Sequence, residues 1–443
     1  MKRIGGRRAL GALAAALILA ADVSPAGRYL LRVPASVTVA VGQPQSIVLD
    51  APGRMGVRAP GAGPQLRLDG RPASDAWRLV PGAALHLLPT APGTYTLQLR
   101  LFGVLPWRGL RVQAVPVPDL VPGGQAIGVV VHSRGPLVVG LRAVPAPGGP
   151  APSPAAAAGI RPGDILLRVA GRPAATPEDV TAALGSVPDG GTVPVEVLRN
   201  GHTLQLRVRP IRASPSASPL IGAWVRDVTG GIGTLTFTAP SGTSGTFGAL
   251  GHPVVDPTTG TAVVLGSGSL VPSLIAGLEK SRDGHPGEKI GVLVGGDPVL
   301  GTVTENTAFG VFGRLDRAPA PGPLAQPLPV ALADQVRTGP VEILTVIDGR
   351  LVGTYAARIT AVLPQRRATT RGFVLTVTDP RLLAATGGIV QGMSGSPVIQ
   401  DGRLVGAVTH VFVDDPSRGY GVLAVWMAET AGLTAPASGK AGV

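Results

Sequence analysis

The sequence predicts a mostly β protein built from several domains, and three observations carry that prediction. Gly and Pro are abundant, at 64 and 45 of 443 residues. The apolar runs between them are short and rich in Val and Leu, the pattern of strands separated by turns. Hydrophobic residues make up 44% of the chain and charged residues 15%, far too apolar for a disordered polymer despite the many breakers. Nothing helical runs past a few turns without Gly or Pro, which excludes coiled coils and helical repeats. Aromatic residues, at 3%, argue against base-stacking surfaces. The formal charge of +13 comes from scattered Arg, so no nucleic-acid partner is expected, and weak attraction to an anionic membrane surface stays open. The absence of Cys removes thiol catalysis, disulfides and Cys-ligated zinc. No metal or organic cofactor is implied.

Residues 1–25 read as an export segment. Lys2, Arg3, Arg7 and Arg8 precede an apolar stretch from Ala9 to Ala21, the order of a secretory signal; an uncleaved membrane anchor is the alternative. Residues 30–118 alternate as strands do, most clearly in Ser36–Val41 and Thr94–Leu99, and predict a small sandwich-like β domain. Residues 120–211 change character. A glycine-rich loop, Gly123-Gly124-Gln125-Ala126-Ile127-Gly128, feeds the apolar run Val129–Val131. Later come Ala158-Gly159-Ile160-Arg161-Pro162-Gly163-Asp164-Ile165 and Val169-Ala170-Gly171-Arg172-Pro173. A short helix follows, with Thr176 as cap, Pro177 at its first position and Asp179 where a capping-box acid sits. This order resembles a PDZ domain. The resemblance implies capture of an extended peptide, with the amides of Gln125, Ala126, Ile127 and Gly128 receiving its carboxylate and main-chain pairing along Ile127–Val131. Residues 212–219 read as a linker, 220–428 as a Gly-punctuated β region and 429–443 as a small-residue tail.

Of the six His, four lie in strand, turn or surface contexts without catalytic-type neighbours, leaving His252 and His410. His252 ends an apolar run, Phe247-Gly248-Ala249-Leu250-Gly251-His252. The decisive signal is Gln391-Gly392-Met393-Ser394-Gly395-Ser396-Pro397. A nucleophilic serine needs a tight turn that exposes its hydroxyl and aims backbone N–H groups at the developing oxyanion, and flanking glycines permit one. The turn resembles the nucleophile loop of chymotrypsin-like serine peptidases and differs from the α/β-hydrolase elbow, which a helix follows.

Longer stretches narrow the resemblance. Gly231–Phe237, Phe247–His252, Asn306–Gly313, Gly387–Gln400 and Gly406–Val422 closely resemble the stage IV sporulation protein B family of PDZ-containing serine peptidases. By that resemblance 220–428 is a trypsin-like double β-barrel, His252 the general base and Ser394 the nucleophile. The backbone N–H groups of Gly392 and Ser394 are the oxyanion donors, and Ser396 is structural. The family's triad acid maps onto Asp379, with Asp256 as the alternative. His410 is read as a specificity or packing residue. The implied activity is that of a self-processing signalling endopeptidase. Its protein partner would be a membrane-bound regulator of sigma-factor processing, cut between forespore and mother cell after export across the forespore membrane. Self-association through the PDZ stays open. The rivals are a general extracytoplasmic quality-control protease and a non-catalytic PDZ adaptor.

Overall fold

In a computed structural model the described residues are 35–49, 53–82, 84–241, 244–293, 298–365 and 367–434. The expected export segment and the end of the tail lie outside them. Contacts divide the chain into two units, Met1–Pro118 with Thr434–Val443, and Asp119–Leu433.

The first unit is a β-sandwich. One sheet orders the strands Ser36–Ala40, Leu105–Val115, Gly93–Leu101, Arg54–Arg58 and Arg78–Pro81; the other orders Gln45–Val48, Ala84–Pro89, Leu66–Leu68 and Arg71–Pro72. Alternation produces it: in Gly93–Leu101, Tyr95, Leu97 and Leu99 turn inward while Thr94 and Thr96 face water. These meet Met55, Leu66, Leu85, Leu87, Leu110 and Val112 in one core.

The second unit contains two six-stranded barrels. The first is a ring of Ala126–Leu141, Leu265–Pro272, Gly301–Thr307, Gly310–Leu315, Ser244–Ala249 and Ala223–Ser241, closed where the last pairs with the first. The second is closed by Gly339–Val346, Val352–Val362, Phe373–Val377, Asp415–Leu423, Arg403–Phe412 and Pro397–Gln400. Closure leaves no unpaired edge, so the backbone groups of these strands are satisfied without helices covering them.

Between Ala126–Leu141 and Ala223–Ser241 in the chain lies the PDZ region. Its strands Ile165–Val169, Val193–Arg199 and His202–Val208 extend the sheet from the far end of Ala126–Leu141. The helix Pro177–Gly185 carries the expected capping box, with Thr176 and Asp179 bonding to each other's backbone N–H. It buries Val180, Ala183 and Leu184 against Val138, Leu166, Val195 and Ile221.

The structure corrects the expected peptide-binding loop. Ala126–His132 is a barrel strand paired on both edges, with Ile127 opposite Gly233 on one side and Pro272 on the other. Gln125 accepts the Leu235 N–H through its carbonyl, and Ala126 accepts that of Ser273. No edge remains there for an added strand. Gly128 is buried, and a Cβ on it would lie 2.4 Å from Leu293 Cδ2. The pairing of Leu137–Leu141 in the PDZ region is instead with Ala223–Arg226 of the chain itself.

Candidate active site

The strand Ser244–Ala249 ends in a sharp reversal that presents His252. Leu250 and Gly251 both take left-handed φ angles, 67° and 72°, a conformation that costs a branched side chain of the size of leucine roughly 1–2 kcal/mol. The cost is met by packing. Leu250 is buried against the bare backbone of Gly233, where a Cβ would lie only 2.0 Å from Leu250 Cδ2. The half-buried His252 ring holds the Pro253 carbonyl with Nδ1 at 2.9 Å. A carbonyl only accepts, so Nδ1 carries the proton and Nε2 is the bare nitrogen, the tautomer a general base requires. Burial pushes this imidazole below its ordinary pKa, against the opposing effect of the Pro253 carbonyl.

Ser394 comes from the second barrel, on the turn between the helix Pro380–Thr386 and the strand Pro397–Gln400. Gly392 and Gly395 have φ of 89° and 92°. At Gly395 a Cβ would sit 2.1 Å from the Thr234 carbonyl, so only glycine lets the turn lie against the first barrel. Along the turn the N–H of Met393 goes to Val390, that of Gly395 to Val408 and that of Ser396 to Met393. Among the described residues no acceptor engages the N–H groups of Gly392 and Ser394, the two expected oxyanion donors. The Ser394 hydroxyl donates to the Thr409 carbonyl at 2.8 Å. Gly251 packs against the same residue, a Cβ there lying 2.8 Å from Thr409 Cγ2. The turn before His252 and the Ser394 hydroxyl thus meet at Thr409, one from each barrel. The His410 ring lies 5.4 Å from that of His252, and its pKa is lowered by burial and then by the charges of His252 and Arg371.

Two residues that sequence reasoning missed hold the halves together. Thr234 donates its N–H to the Ser394 carbonyl and its hydroxyl to the Gly392 carbonyl, at 3.0 and 2.8 Å. Thr236 donates to the Gly395 carbonyl at 2.8 Å. Both are fully buried in Gly-Thr-Leu-Thr-Phe, and two hydroxyls on one face of an apolar strand were the available signal. Ser396 is likewise buried, with Oγ 3.0 Å from Thr345 Oγ1.

Neither expected acid reaches the base. Asp379 caps the helix Pro380–Thr386, accepting the N–H of Arg381 and Leu382. It also accepts the Ala356 N–H at 3.2 Å and is gripped by the Arg381 guanidinium at 2.8 and 3.1 Å. That guanidinium, helped by the backbone donors, holds its carboxyl well below the usual carboxylate range against the effect of burial. Asp256 accepts from Thr258 and Thr259 in its own turn and pairs with Arg226 at 2.7 Å. The position a triad carboxylate would occupy at His252 Nδ1 is taken by the Pro253 carbonyl.

A histidine and a glycine-flanked serine brought together from paired six-stranded barrels, behind a PDZ domain, define a chymotrypsin-like serine peptidase. Residues 218–428 match the family model "SpoIVB peptidase S55", and residues 127–209 match the PDZ domain model. The chain is a serine peptidase, and its catalytic region resembles the SpoIVB S55 peptidases. Two curated relatives are named magnetosome formation protease MamE. That of Magnetospirillum gryphiswaldense is 51% identical over 49 residues, 11% of this chain and 6% of the relative. That of Paramagnetospirillum magneticum is 38% identical over 84 residues, 18% of this chain and 12% of the relative. The chain therefore spans only a small part of either relative. Among solved structures, the active form of the Rv3671c protease from M. tuberculosis is 17% identical, with a TM-score of 0.28, covering 48% of this chain and 78% of that one. The inactive form gives 17% and 0.26, with 45% and 81% covered.

Proposed function

We propose that the peptidase uses a Ser394–His252 dyad, with the Pro253 carbonyl in the orienting role that a carboxylate plays elsewhere. The observation that carries this reading is the turn itself, which ties down every N–H around Ser394 except the two that would face an oxyanion. The hydroxyl of Ser394 turns from Thr409 to His252 Nε2, gives up its proton and attacks the scissile carbonyl. The Gly392 and Ser394 N–H groups take the negative charge, and the imidazolium returns its proton to the leaving amine. A carbonyl dipole fixes the tautomer but stabilises the imidazolium less than a carboxylate would. Labelling by a fluorophosphonate that depends on both Ser394 and His252 tests this chemistry.

The physiological reading follows from the family. The chain acts after export, on the outer face of a membrane, as a signalling endopeptidase that processes itself. Its target is a membrane-bound regulator between forespore and mother cell, whose cleavage starts late sigma-factor activation. The likeness to two magnetosome formation proteases favours a second reading, an extracytoplasmic peptidase serving another membrane process. Cleavage of one defined membrane-anchored substrate, timed to sporulation, separates the first from the second. A Ser394→Ala chain that retains full biological function would point instead to the adaptor reading.

A further inference from the structure

One charged side chain near the site has no part in the chemistry above. Lys289, on the strand Glu288–Val292, is 1% exposed and lies beneath the Ser394 turn. It meets that turn at two points and the strand Gly339–Val346 at a third. Its backbone N–H donates to the Gln391 carbonyl at 2.9 Å, which fixes the peptide unit whose other end is the Gly392 N–H. Its stem fills the space under Gly392, where a Cβ would lie 3.1 Å from Lys289 Cβ and Cδ. Its ammonium donates to Thr345 Oγ1 at 2.7 Å.

From Thr345 a row of hydroxyls leads back to the turn. Thr345 and Ser396 are 3.0 Å apart, Ser396 and Thr234 are 3.5 Å apart, and Thr234 reaches the Gly392 carbonyl at 2.8 Å. Each hydroxyl has one proton to give and rotates to suit its neighbours. A charged Lys289 can only donate, so Thr345 accepts from it as it accepts from Ser396. Thr345, held by the ammonium, thereby anchors Ser396 beside Thr234, and Thr234 donates to Gly392. A neutral amine has a lone pair, accepts from Thr345 instead, and no longer fixes how that hydroxyl meets Ser396.

We propose that Lys289 is a positioning residue for the oxyanion turn, and that turnover requires its ammonium to be charged. This rests on the reading of Ser394 as nucleophile. Among the described residues the charge has no carboxylate to hold it. Glu288 and Glu279 are exposed on its own hairpin, with Glu279 turned to His285 at 3.3 Å. Glu342 on the strand that carries Thr345 is also exposed, and the residues of the turn from Gln391 to Ser396 are uncharged. Burial without a counter-charge pushes the lysine down to about 7, within the range where a cell's pH could switch it.

The test is the pH profile of kcat and KM on a short soluble peptide, measured with the full chain, Lys289→Met and Thr345→Val. The wild type should lose kcat as pH rises through about 7. Lys289→Met should turn over at least about tenfold more slowly at pH 6, with KM within a few-fold, and show no alkaline limb. Thr345→Val removes the acceptor of the ammonium and should move the limb to lower pH, which keeps the proposal testable should the Met variant fail to fold. An alkaline limb unchanged in either folded variant, or a wild-type kcat in Lys289→Met, overturns it. Fluorophosphonate labelling of the wild type distinguishes the two failures. With Ser394 labelled and Lys289→Met unchanged, only the role of the lysine falls; with Ser394 unlabelled, the nucleophile itself is wrong.

Discussion

Replacing Asp379 by Asn separates a catalytic acid from a structural one. The carboxylate is buried beside its helix, with 7% of the side chain exposed, and accepts from the backbone N–H groups of Ala356 and Arg381. Asn caps a helix about as well as Asp, so the helix start survives. What is lost is the negative charge on the acceptor of those N–H bonds. Exchanging charge-assisted for neutral bonds there should cost about 1–2 kcal/mol. The pairing with Arg381 adds little, because 69% of that guanidinium side chain faces water. Since the folded pKa of Asp379 is depressed, its contribution is fully present above the unfolded value, near ~4, and fades as pH falls below it. Urea unfolding should therefore show a deficit in Asp379→Asn at pH 7 that shrinks toward pH 3, while peptide hydrolysis stays within about fivefold of wild type. A triad acid behaves oppositely, since its amide costs about 10⁴ in turnover with the fold intact. A loss of a thousandfold or more with an unchanged unfolding midpoint would refute the reasoning and return Asp379 to the triad.

Three further outcomes follow from the same geometry. Ser396→Ala should lose roughly 1–2 kcal/mol by deleting a buried hydroxyl partner of Thr345 yet remain labelled by fluorophosphonate, as thermal melting and labelling would show. The acid limb of kcat/KM should fall below the ordinary histidine value of ~6.5, because burial lowers the His252 pKa and the neutral imidazole is the active form; a limb above 7 would contradict the burial argument. Gly128→Glu should reduce cleavage of soluble and membrane-bound substrates alike, with a lowered melting temperature, since the added side chain collides with Leu293 and Val271, which pack against that strand. A selective loss on the membrane substrate would revive the peptide-binding loop.

Local chemistry was legible in the sequence and long-range pairing was not. Alternation marked the sandwich strands, and the Thr176–Asp179 capping box is present as its spacing implies. The glycines around Ser394 announced a tight turn because positive φ is a local property. The strand from Ala126 to His132 was also visible as a strand. What lies on its two edges depends on residues more than 90 positions away, and no local signal separates a barrel wall from a peptide-binding edge. At Asp379 the local signal was the better guide: Asp followed by Pro is how a helix begins, and that is its role here. Lys289 was hidden by its own alternation, which turns the lysine inward and Ile290 outward, the reverse of what hydrophobicity suggests.

The central claim is that Ser394, activated by His252, is the nucleophile of this peptidase. The most direct measurement is fluorophosphonate labelling of the full chain, with the modified residue identified by peptide mapping. Wild-type protein should carry the label on Ser394 alone. Ser394→Ala should take none, and His252→Ala should take almost none, with both variants folded and the double variant no worse than either. Label on Ser396, or wild-type labelling in the His252 variant, would contradict the account.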